Sequence, residues 1–371
     1  MLARVKDMVE IIEGHFPLRL AEKWDNAGLQ VGSLQYPVRR VLVALDMDQE
    51  VLRYAREHEA DMVITHHPLL FNGLKSINYD QAAGSLIKGI VEAGITVYAA
   101  HTNLDAGERG LNQILAERIG LGNIKPLDQG RTEALYKLVV YVPSDHEKTV
   151  RCAMMEAGAG HIGKYSDCSF RVKGTGSFRP LTGSTPFIGQ EGILQEVEEY
   201  RLETLLPQAR LDQVLSSMLR AHPYEEAAYD IFRLERTGQV FSLGRIGQLT
   251  EAVSLKELGE QVKTRLGLRN LRIAGDMSQS IKKVAVVSGA GAGFIKTARN
   301  RGCDALVTGD LKYHEAREAL DLGLAVIDAG HQGTEQIMSS YICSLLQDAA
   351  RQMELQVEAI SFLNQDCMVV I

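Results

Sequence analysis

The stretch RRVLVALDMDQEVLRYAREHEADMVITHHPLLF, from Arg39 to Phe71, decides the fold. It reads as a short strand rich in β-branched residues, a turn, a helix, and a second buried strand that ends in polar residues. A strand, a helix and a strand in this order predict a parallel pair of strands joined by a right-handed crossover. The stretch therefore predicts an α/β fold.

A second stretch repeats the pattern. It is KKVAVVSGAGAGFIKTARNRGCDALVTGDLKYHEA, from Lys282 to Ala316. Its residues 304–308 (DALVT) align with residues 61–65 (DMVIT) of the first stretch. We interpret the two as related α/β lobes around a pseudo-twofold axis. The alternative is that any two strand-helix-strand units look alike.

The likeness extends by one more strand in each half. GITVYAAHTNLD contains His101 and, four residues later, Asp105. GLAVIDAGHQGTE contains His331 and, four residues later, Glu335. A spacing of four places two side chains on one face of a helix. An isolated pair of this kind is common on solvated helix faces, but two pairs at matching positions favour a functional role.

Between the lobes lies a segment of different character. Its pattern of strands and helices is βαββαβ, the ferredoxin-like order. We therefore predict a first lobe at residues 1–130, an inserted domain at 131–236 and a second lobe at 237–371. Residues 125–131 and 236–238 are the predicted hinges.

Composition limits the classes of function. The chain has 371 residues, 45% of them hydrophobic, and a net charge of −7, so nucleic acids and anionic lipids exert no bulk attraction on it. We see no stretch of 18 apolar residues, and acidic residues interrupt the first helix, which excludes a signal peptide. We expect a cytoplasmic protein. The five cysteines are scattered and read as reduced core residues, not as a thiolate metal site.

His66 and His67 follow a buried strand and precede Pro68. Adjacent residues of a continuing strand point to opposite faces, and a proline cannot donate to the ladder, so the strand ends here. Ligand sites of open parallel sheets form beyond the carboxyl ends of the strands. A lone histidine would more often be structural, but two in sequence at a strand end favour a functional site.

The candidate donors are nitrogen and oxygen atoms. They suit Zn, Fe, Mn, Co or Ni, and the sequence does not choose among these metals. The candidate ligands outnumber the three that a catalytic zinc uses. A pair of divalent ions about 3.5 to 4 Å apart is the economical interpretation.

Other residues are candidates for substrate binding or proton transfer. Trp24 and Asn26 lie in a turn, KWDNAGLQVG, that either borders the site or packs a core tryptophan. Lys312 could hold phosphates, and His314 could act as acid or base or be an exposed helix residue. SGAGAGF, residues 288–294, resembles a phosphate loop but lacks the Lys-Ser/Thr of the P-loop, and close backbone packing explains it equally well.

These motifs together resemble the Nif-three-like family, whose bacterial members are called GTP cyclohydrolase 1 type 2 homologues. The resemblance covers both flanking parts, and the insert resembles the PII/CutA-like domain of longer members. It implies a homohexamer and a dinuclear metal centre. The implied ligands are His66, His67, Asp105, His331 and Glu335. His101 and His314 match positions near the metals and are assigned to proton transfer.

The leading hypothesis is a metal-dependent hydrolase that acts on a nucleotide such as GTP. Metal-bound water, with its pKa lowered to about 7, would attack a polarised purine carbon. The alternative is a non-enzymatic metal-binding or regulatory protein in which the PII-like insert signals to a partner. A third hypothesis is a hydrolase that acts on phosphoesters or on another small molecule. A nucleic-acid-binding module is disfavoured by the acidic charge.

Overall fold

The computed structural model describes residues 3–368. The chain divides into two compact units, one formed by the residues up to Arg131 together with those from Phe241 onward, and one formed by Thr132–Val240. We refer to them as the outer unit and the inserted unit. In chain order the strands are β1 (Ala3–Arg4), β2 (Gly28–Val31), β3 (Pro37–Val38), β4 (Arg40–Ala44), β5 (Met62–Thr65), β6 (Thr96–Ala99), β7 (Gly122–Pro126), β8 (Arg131–Pro143), β9 (Ser169–Phe178), β10 (Gln195–Pro207), β11 (Tyr229–Phe241), β12 (Arg245–Ser254), β13 (Arg272–Ala274), β14 (Ser280–Val286), β15 (Ala305–Thr308), β16 (Ala325–Asp328) and β17 (Glu358–Ser361). The helices are α1 (Val5–His15), α2 (Gln49–Glu57), α3 (Ala82–Glu92), α4 (Thr102–Ala106), α5 (Leu111–Arg118), α6 (Glu147–Glu156), α7 (Leu211–Ala221), α8 (Leu255–Leu266), α9 (Ile295–Asn300), α10 (Tyr313–Asp321), α11 (His331–Glu335) and α12 (Ile337–Gln352).

The outer unit contains two large sheets. In the first, with the order β17-β4-β5-β6-β2, the strands β17, β4, β5 and β6 are parallel and β2 is antiparallel. In the second, with the order β13-β16-β15-β14-β12-β7, the strands β14, β15 and β16 are parallel, and the pairings β13-β16, β14-β12 and β12-β7 are antiparallel. The first sheet therefore has four adjacent parallel strands and the second has three, and the predicted α/β fold is confirmed.

The same carboxylate contacts recur in both sheets. Asp61 accepts the backbone N–H groups of Arg39 and Arg40 at 2.7 and 3.0 Å. Asp304 accepts those of Lys282 and Lys283 at 2.9 and 2.8 Å. In each half, the aspartate that precedes the second parallel strand thus accepts backbone hydrogen bonds from the start of the first parallel strand. Two arbitrary strand-helix-strand units would not share this detail, which supports the predicted relation between the lobes.

The core of the outer unit lies between the two sheets. Val41 and Val43 of β4 and Val284 and Val286 of β14 belong to one buried cluster with α1, α5, α8 and α12. The alternate strand residues face outward, because successive side chains of a strand point to opposite faces. There α2 and α3 cover the first sheet, and α9 and α10 cover the second. Burial on both faces explains why the parallel strands read as continuous apolar runs.

The inserted unit has one antiparallel sheet with the order β11-β8-β10-β9. Its elements follow the order βαββαβ, with α6 and α7 packed on one face of the sheet around Val140, Leu202 and Met218. Residues 236–238, predicted to be a hinge, lie inside β11. The strand continues through Thr237 and Gly238 to Phe241, so the glycine does not end it.

Within residues 3–368, no helix is both long and apolar enough to cross a lipid bilayer.

Candidate metal centre

Four histidines of the outer unit follow the carboxyl ends of its parallel strands. His66 and His67 follow β5, His101 follows β6, and His331 follows β16 and begins α11. The two sheets contribute to the same place, because the ring centroids of His67 and His331 are 5.2 Å apart. The ligand-type atoms of the site form two groups, each within 4.8 Å: one contains His66, His67 and His101, and the other contains His67, His331 and Glu335.

His66 is fully buried and has one free nitrogen. Its Nδ1 lies 2.8 Å from the carbonyl oxygen of Ala100, which can only accept, so Nδ1 carries the proton. Its Nε2 has no hydrogen-bond partner. This Nε2 lies 3.7 Å from Asp105 Oδ1 and 3.7 Å from Glu335 Oε1. A nitrogen that faces two carboxylates favours positive charge at this point, either a proton on Nε2 or a metal ion, and a metal ion fits this donor set.

His67 and His331 are oriented in the same way. Their Nδ1 atoms lie 2.8 Å from Asp46 and 2.7 Å from Asp310, respectively. Their Nε2 atoms are 3.2 Å from each other and lie 3.0 and 3.1 Å from Glu335 Oε2. Two neutral imidazoles would oppose their lone pairs at this distance, so a proton or a metal ion must lie between them. Carboxylates that hold the second nitrogen of a metal-binding histidine are the usual outer partners of such sites.

The two carboxylates of the site are fixed by close packing. Asp105 lies in α4 and accepts a hydrogen bond from Ser288 at 3.1 Å, and Ser288 accepts one from Asn112 at 3.0 Å. Gly289 passes so close to Glu335 that a Cβ on this residue would lie 2.3 Å from Oε1. Its φ of 58° also favours glycine. The loop at residues 288–294 thus supports the centre by close backbone packing.

The histidines bind protons tightly without a metal. Burial opposes the charged form of His67, but the hydrogen bonds that its ring donates to Asp46 and Glu335 outweigh it and raise its pKa to about 10. The hydrogen bond to Glu335 raises the pKa of His331 to about 9 in spite of burial. The site therefore attracts positive charge, which either protons or metal ions can supply.

The two carboxylates respond in opposite directions. Burial and the charge of Glu335 raise the pKa of Asp105, although His66 opposes this. Burial also disfavours the charged form of Glu335. The charge of His66 and the hydrogen bonds that Glu335 accepts from the imidazoles nevertheless hold the pKa of Glu335 well below the usual value. Glu335 is thus the negative centre around which the imidazoles gather.

His101 is part of the same cluster. Its Nδ1 lies 2.8 Å from Asp25 Oδ1, and its ring is 5.1 Å from that of His66. Hydrogen bonds from His101 and Thr102 lower the pKa of Asp25 to about 2, although burial opposes this. His101 therefore shares the orientation of His67 and His331, with a carboxylate on Nδ1, whereas Nδ1 of His66 bonds to a carbonyl oxygen.

The predicted substrate residues have different positions. Trp24 is 61% exposed, so it is not a core residue, and its ring lies 6.1 Å from that of His101. Asn26 donates to the carbonyl oxygen of Leu70 at 2.6 Å. Lys312 and His314 are exposed at the start of α10. The ring of His314 contacts that of Tyr313. The structure brings Trp24 to the edge of the cluster and records no contact of Lys312 or His314 with it among residues 3–368.

Three aspartates of the site were not singled out from the sequence. They are Asp25, Asp46 and Asp310, each hydrogen-bonded to Nδ1 of one histidine. A signal existed for two of them, because Asp46 follows β4 and Asp310 follows β15 within two residues. The rule that polar residues after parallel strands converge applies to them as it does to the histidines.

Two related sheets that join at a cluster of histidines and carboxylates define an α/β protein with a candidate metal site. The family model described as Duf34/NIF3 (NGG1p interacting factor 3) matches residues 3–366, and the chain belongs to this family. It is 45% identical over 333 residues to the GTP cyclohydrolase 1 type 2 homolog of Bacillus subtilis, covering 90% of this chain and 89% of the relative. It is 40% identical over 360 residues to the protein of the same name from Halalkalibacterium halodurans, covering 97% and 96%.

Solved structures show the same fold. The crystal structure of a Bacillus cereus protein related to NIF3 has a TM-score of 0.95 at 40% identity, covering 100% of both chains. A Staphylococcus aureus protein has a TM-score of 0.79 at 28% identity, covering 100% of this chain and 99% of its own.

Proposed function

We propose that this protein is a metal-dependent hydrolase that acts on a nucleotide, with GTP as the first substrate to test. One observation carries the proposal. Four imidazoles, each fixed through Nδ1, belong to one cluster with two buried carboxylates, and His66 Nε2 has no partner. The name of the curated relatives refers to GTP cyclohydrolase, and this is the ground for choosing GTP.

The proposed ligands of two divalent ions are His66, His67, Asp105, His331 and Glu335. Such ions, when bound, polarise a substrate and make water more acidic. Zinc is the first metal to test, because imidazole and carboxylate ligands suit it.

His101 is proposed to move a proton, because Asp25 holds its Nδ1 and orients the ring. The exposed rings of Trp24 and Phe71, whose centroids are 6.0 Å apart, lie beside His101 and offer flat surfaces for a purine base. Lys312 and His314 remain candidates for phosphate binding and acid-base chemistry, and both are exposed at the start of α10.

The test is release of formate from GTP by protein that has been stripped of metal and reloaded with one metal at a time. His67→Gln removes a proposed ligand, whereas His58→Gln changes a histidine that stacks on Tyr54. We expect turnover by the wild type and His58→Gln, and none by His67→Gln. A metal-loaded, folded wild type that turns over neither GTP nor a panel of nucleotides and phosphoesters contradicts the proposal.

A regulatory protein is the second candidate. The inserted unit has its own core, which chemistry at the metal centre does not require. A partner protein that binds only the metal-loaded form, in the absence of turnover, would favour this function. The family resemblance is also the ground for proposing a cytoplasmic homohexamer with a PII/CutA-like insert, and light scattering of the purified protein tests the hexamer.

A further inference from the structure

The inserted unit contains a cavity of about 920 Å³. Tyr141 and Glu199 line it, together with the loop that follows β9. Val140, Val142 and Leu202 pack against α6 and α7, and neighbouring residues of a strand alternate between its faces. The cavity therefore lies on the face of the sheet opposite the helices, and its volume is in the range of small-molecule sites.

Glu199 is a buried carboxylate on the wall of this cavity. Glu199 is only 8% exposed. Its Oε1 accepts a hydrogen bond from the Tyr224 hydroxyl at 3.0 Å. Two other glutamates of β10 have cationic partners: Glu198 pairs with Lys173, and Glu203 with a lysine and an arginine. Among residues 3–368 no ion pair is recorded for Glu199. A buried charge without a cation is costly, so this carboxylate is suited to a cationic ligand.

Gly176 keeps the place of this carboxylate open. It lies on β9 beside β10, and a Cβ at this position would lie 2.1 Å from Glu199 Oε2. Any larger residue would therefore displace the carboxylate or the strand. The φ of Gly176 is not positive, so backbone conformation does not require glycine here. The close approach of the Glu199 carboxylate does.

Aromatic rings flank the carboxylate. The ring of Tyr224 lies 5.7 Å from that of Phe178 and 6.3 Å from that of Phe187. Burial, together with the hydrogen bond to Glu199, raises the pKa of the Tyr224 hydroxyl, so it remains a neutral donor. Ring faces beside a carboxylate attract organic cations through both charge and quadrupole.

The other charged groups of the cavity do not neutralise Glu199. Arg179, on the loop after β9, donates to the carbonyl oxygen of Gly192. Glu225 accepts from the backbone N–H of Thr185, and Glu226 adds a further negative charge to the lining. The cavity thus combines aromatic walls with an excess of carboxylates.

We propose that the inserted unit binds a small organic cation, a primary ammonium or guanidinium group on a compact skeleton, with Glu199 as its counter-ion and Tyr224 and Phe187 against its apolar part. This site shares no residue with the metal centre, and the proposal does not depend on the proposed hydrolase activity.

The test is calorimetric titration of the full chain with agmatine, putrescine and choline as probes, and with a neutral amide of the agmatine skeleton as the matched ligand control. Glu199→Gln preserves the size of the side chain and a partner for Tyr224, but removes the charge. We expect it to weaken binding of the best probe by roughly 10- to 100-fold, the range for a hydrogen bond to a charged group. Glu198→Gln changes an exposed, paired neighbour and should leave binding unchanged.

Phe187→Leu gives a second test on an exposed loop residue, where loss of folding is not expected. Loss of the ring face should weaken binding by about 2- to 5-fold. Circular dichroism and thermal unfolding confirm that each variant is folded. The proposal is overturned if no cationic probe binds the wild type at millimolar concentration, if the neutral amide binds equally well, or if folded Glu199→Gln binds like the wild type.

Discussion

Asp46 fixes the imidazole of His67 through Nδ1 and does not itself belong to either group of ligand-type atoms. We expect Asp46→Asn to weaken metal binding by about 10- to 100-fold, as loss of such an outer partner does elsewhere. Competition with a chelating dye measures this. Asp48→Asn is the matched control, because Asp48 caps α2 and asparagine caps equally well. Equal affinities of the two variants would show that Asp46 does not orient the ligand.

The pKa values of the imidazoles predict how pH affects the metal-free protein. The pKa of His67 is about 10 and that of His331 about 9, both raised from 6.5. The bound protons stabilise the folded state fully below pH 6.5, and this contribution is lost as the pH rises through 9 to 10. We expect the Tm of chelator-treated protein to fall over this range more steeply than that of metal-loaded protein, in which the ions replace the protons. Parallel Tm curves for the two forms would contradict the assignment.

At the same scale, sequence reasoning reached the histidines more easily than the residues that orient them. His-His-Pro at a strand end and the repeated spacing of four pointed to His66, His67 and His331. Asp46 follows the end of β4 by two residues, but its pairing with His67 becomes visible only when β4 and β5 lie side by side. Trp24 left two readings open, because a side chain beside a turn can point inward or outward.

The loop between β14 and α9 offers a test at the scale of an element. In Gly289→Ala the new methyl group would displace Glu335, and the positive φ adds strain. We expect metal affinity to fall at least about tenfold and stability to fall by about 1 kcal/mol or more. Metal analysis and thermal unfolding measure the two effects.

The control lies four residues further along the same loop. A Cβ on Gly293 would meet nothing within 4 Å. Gly293→Ala should change stability by less than about 0.5 kcal/mol and leave metal binding intact. If both alanine variants retain the metal equally, the close approach at Gly289 does not position Glu335.

Elements with a clear period were predictable from the sequence, and their ends were not. The parallel strands are buried on both faces, so each read as an apolar run bounded by polar residues. The hinge expected at 236–238 is strand, because pairing with β8 in the sheet outweighs the turn preference of Thr-Gly. Local propensity decides such positions only where no neighbouring strand is available.

At the scale of the whole molecule, the outer unit has a core of its own. At the boundary, Leu127 donates to the carbonyl oxygen of Gly244 at 3.1 Å, and Gly130 lies against the backbone of Phe241. The two points at which the chain leaves and re-enters the outer unit therefore lie side by side. We expect a protein in which a linker of about four residues replaces 132–240 to fold and to bind as much metal per chain as the full protein. Loss of metal binding by a folded deletion protein would show that the centre needs the inserted unit.

His67 and Glu335 meet across 268 residues of sequence. Ribosomes add about 5 to 20 residues per second, so the first histidines emerge on the order of 10 to 60 s before their acidic partner. Chains arrested in that interval lack Glu335 and therefore cannot assemble the group that it forms with His67 and His331. Metal content per chain would therefore separate polypeptides completed beyond Glu335 from those whose translation stopped earlier.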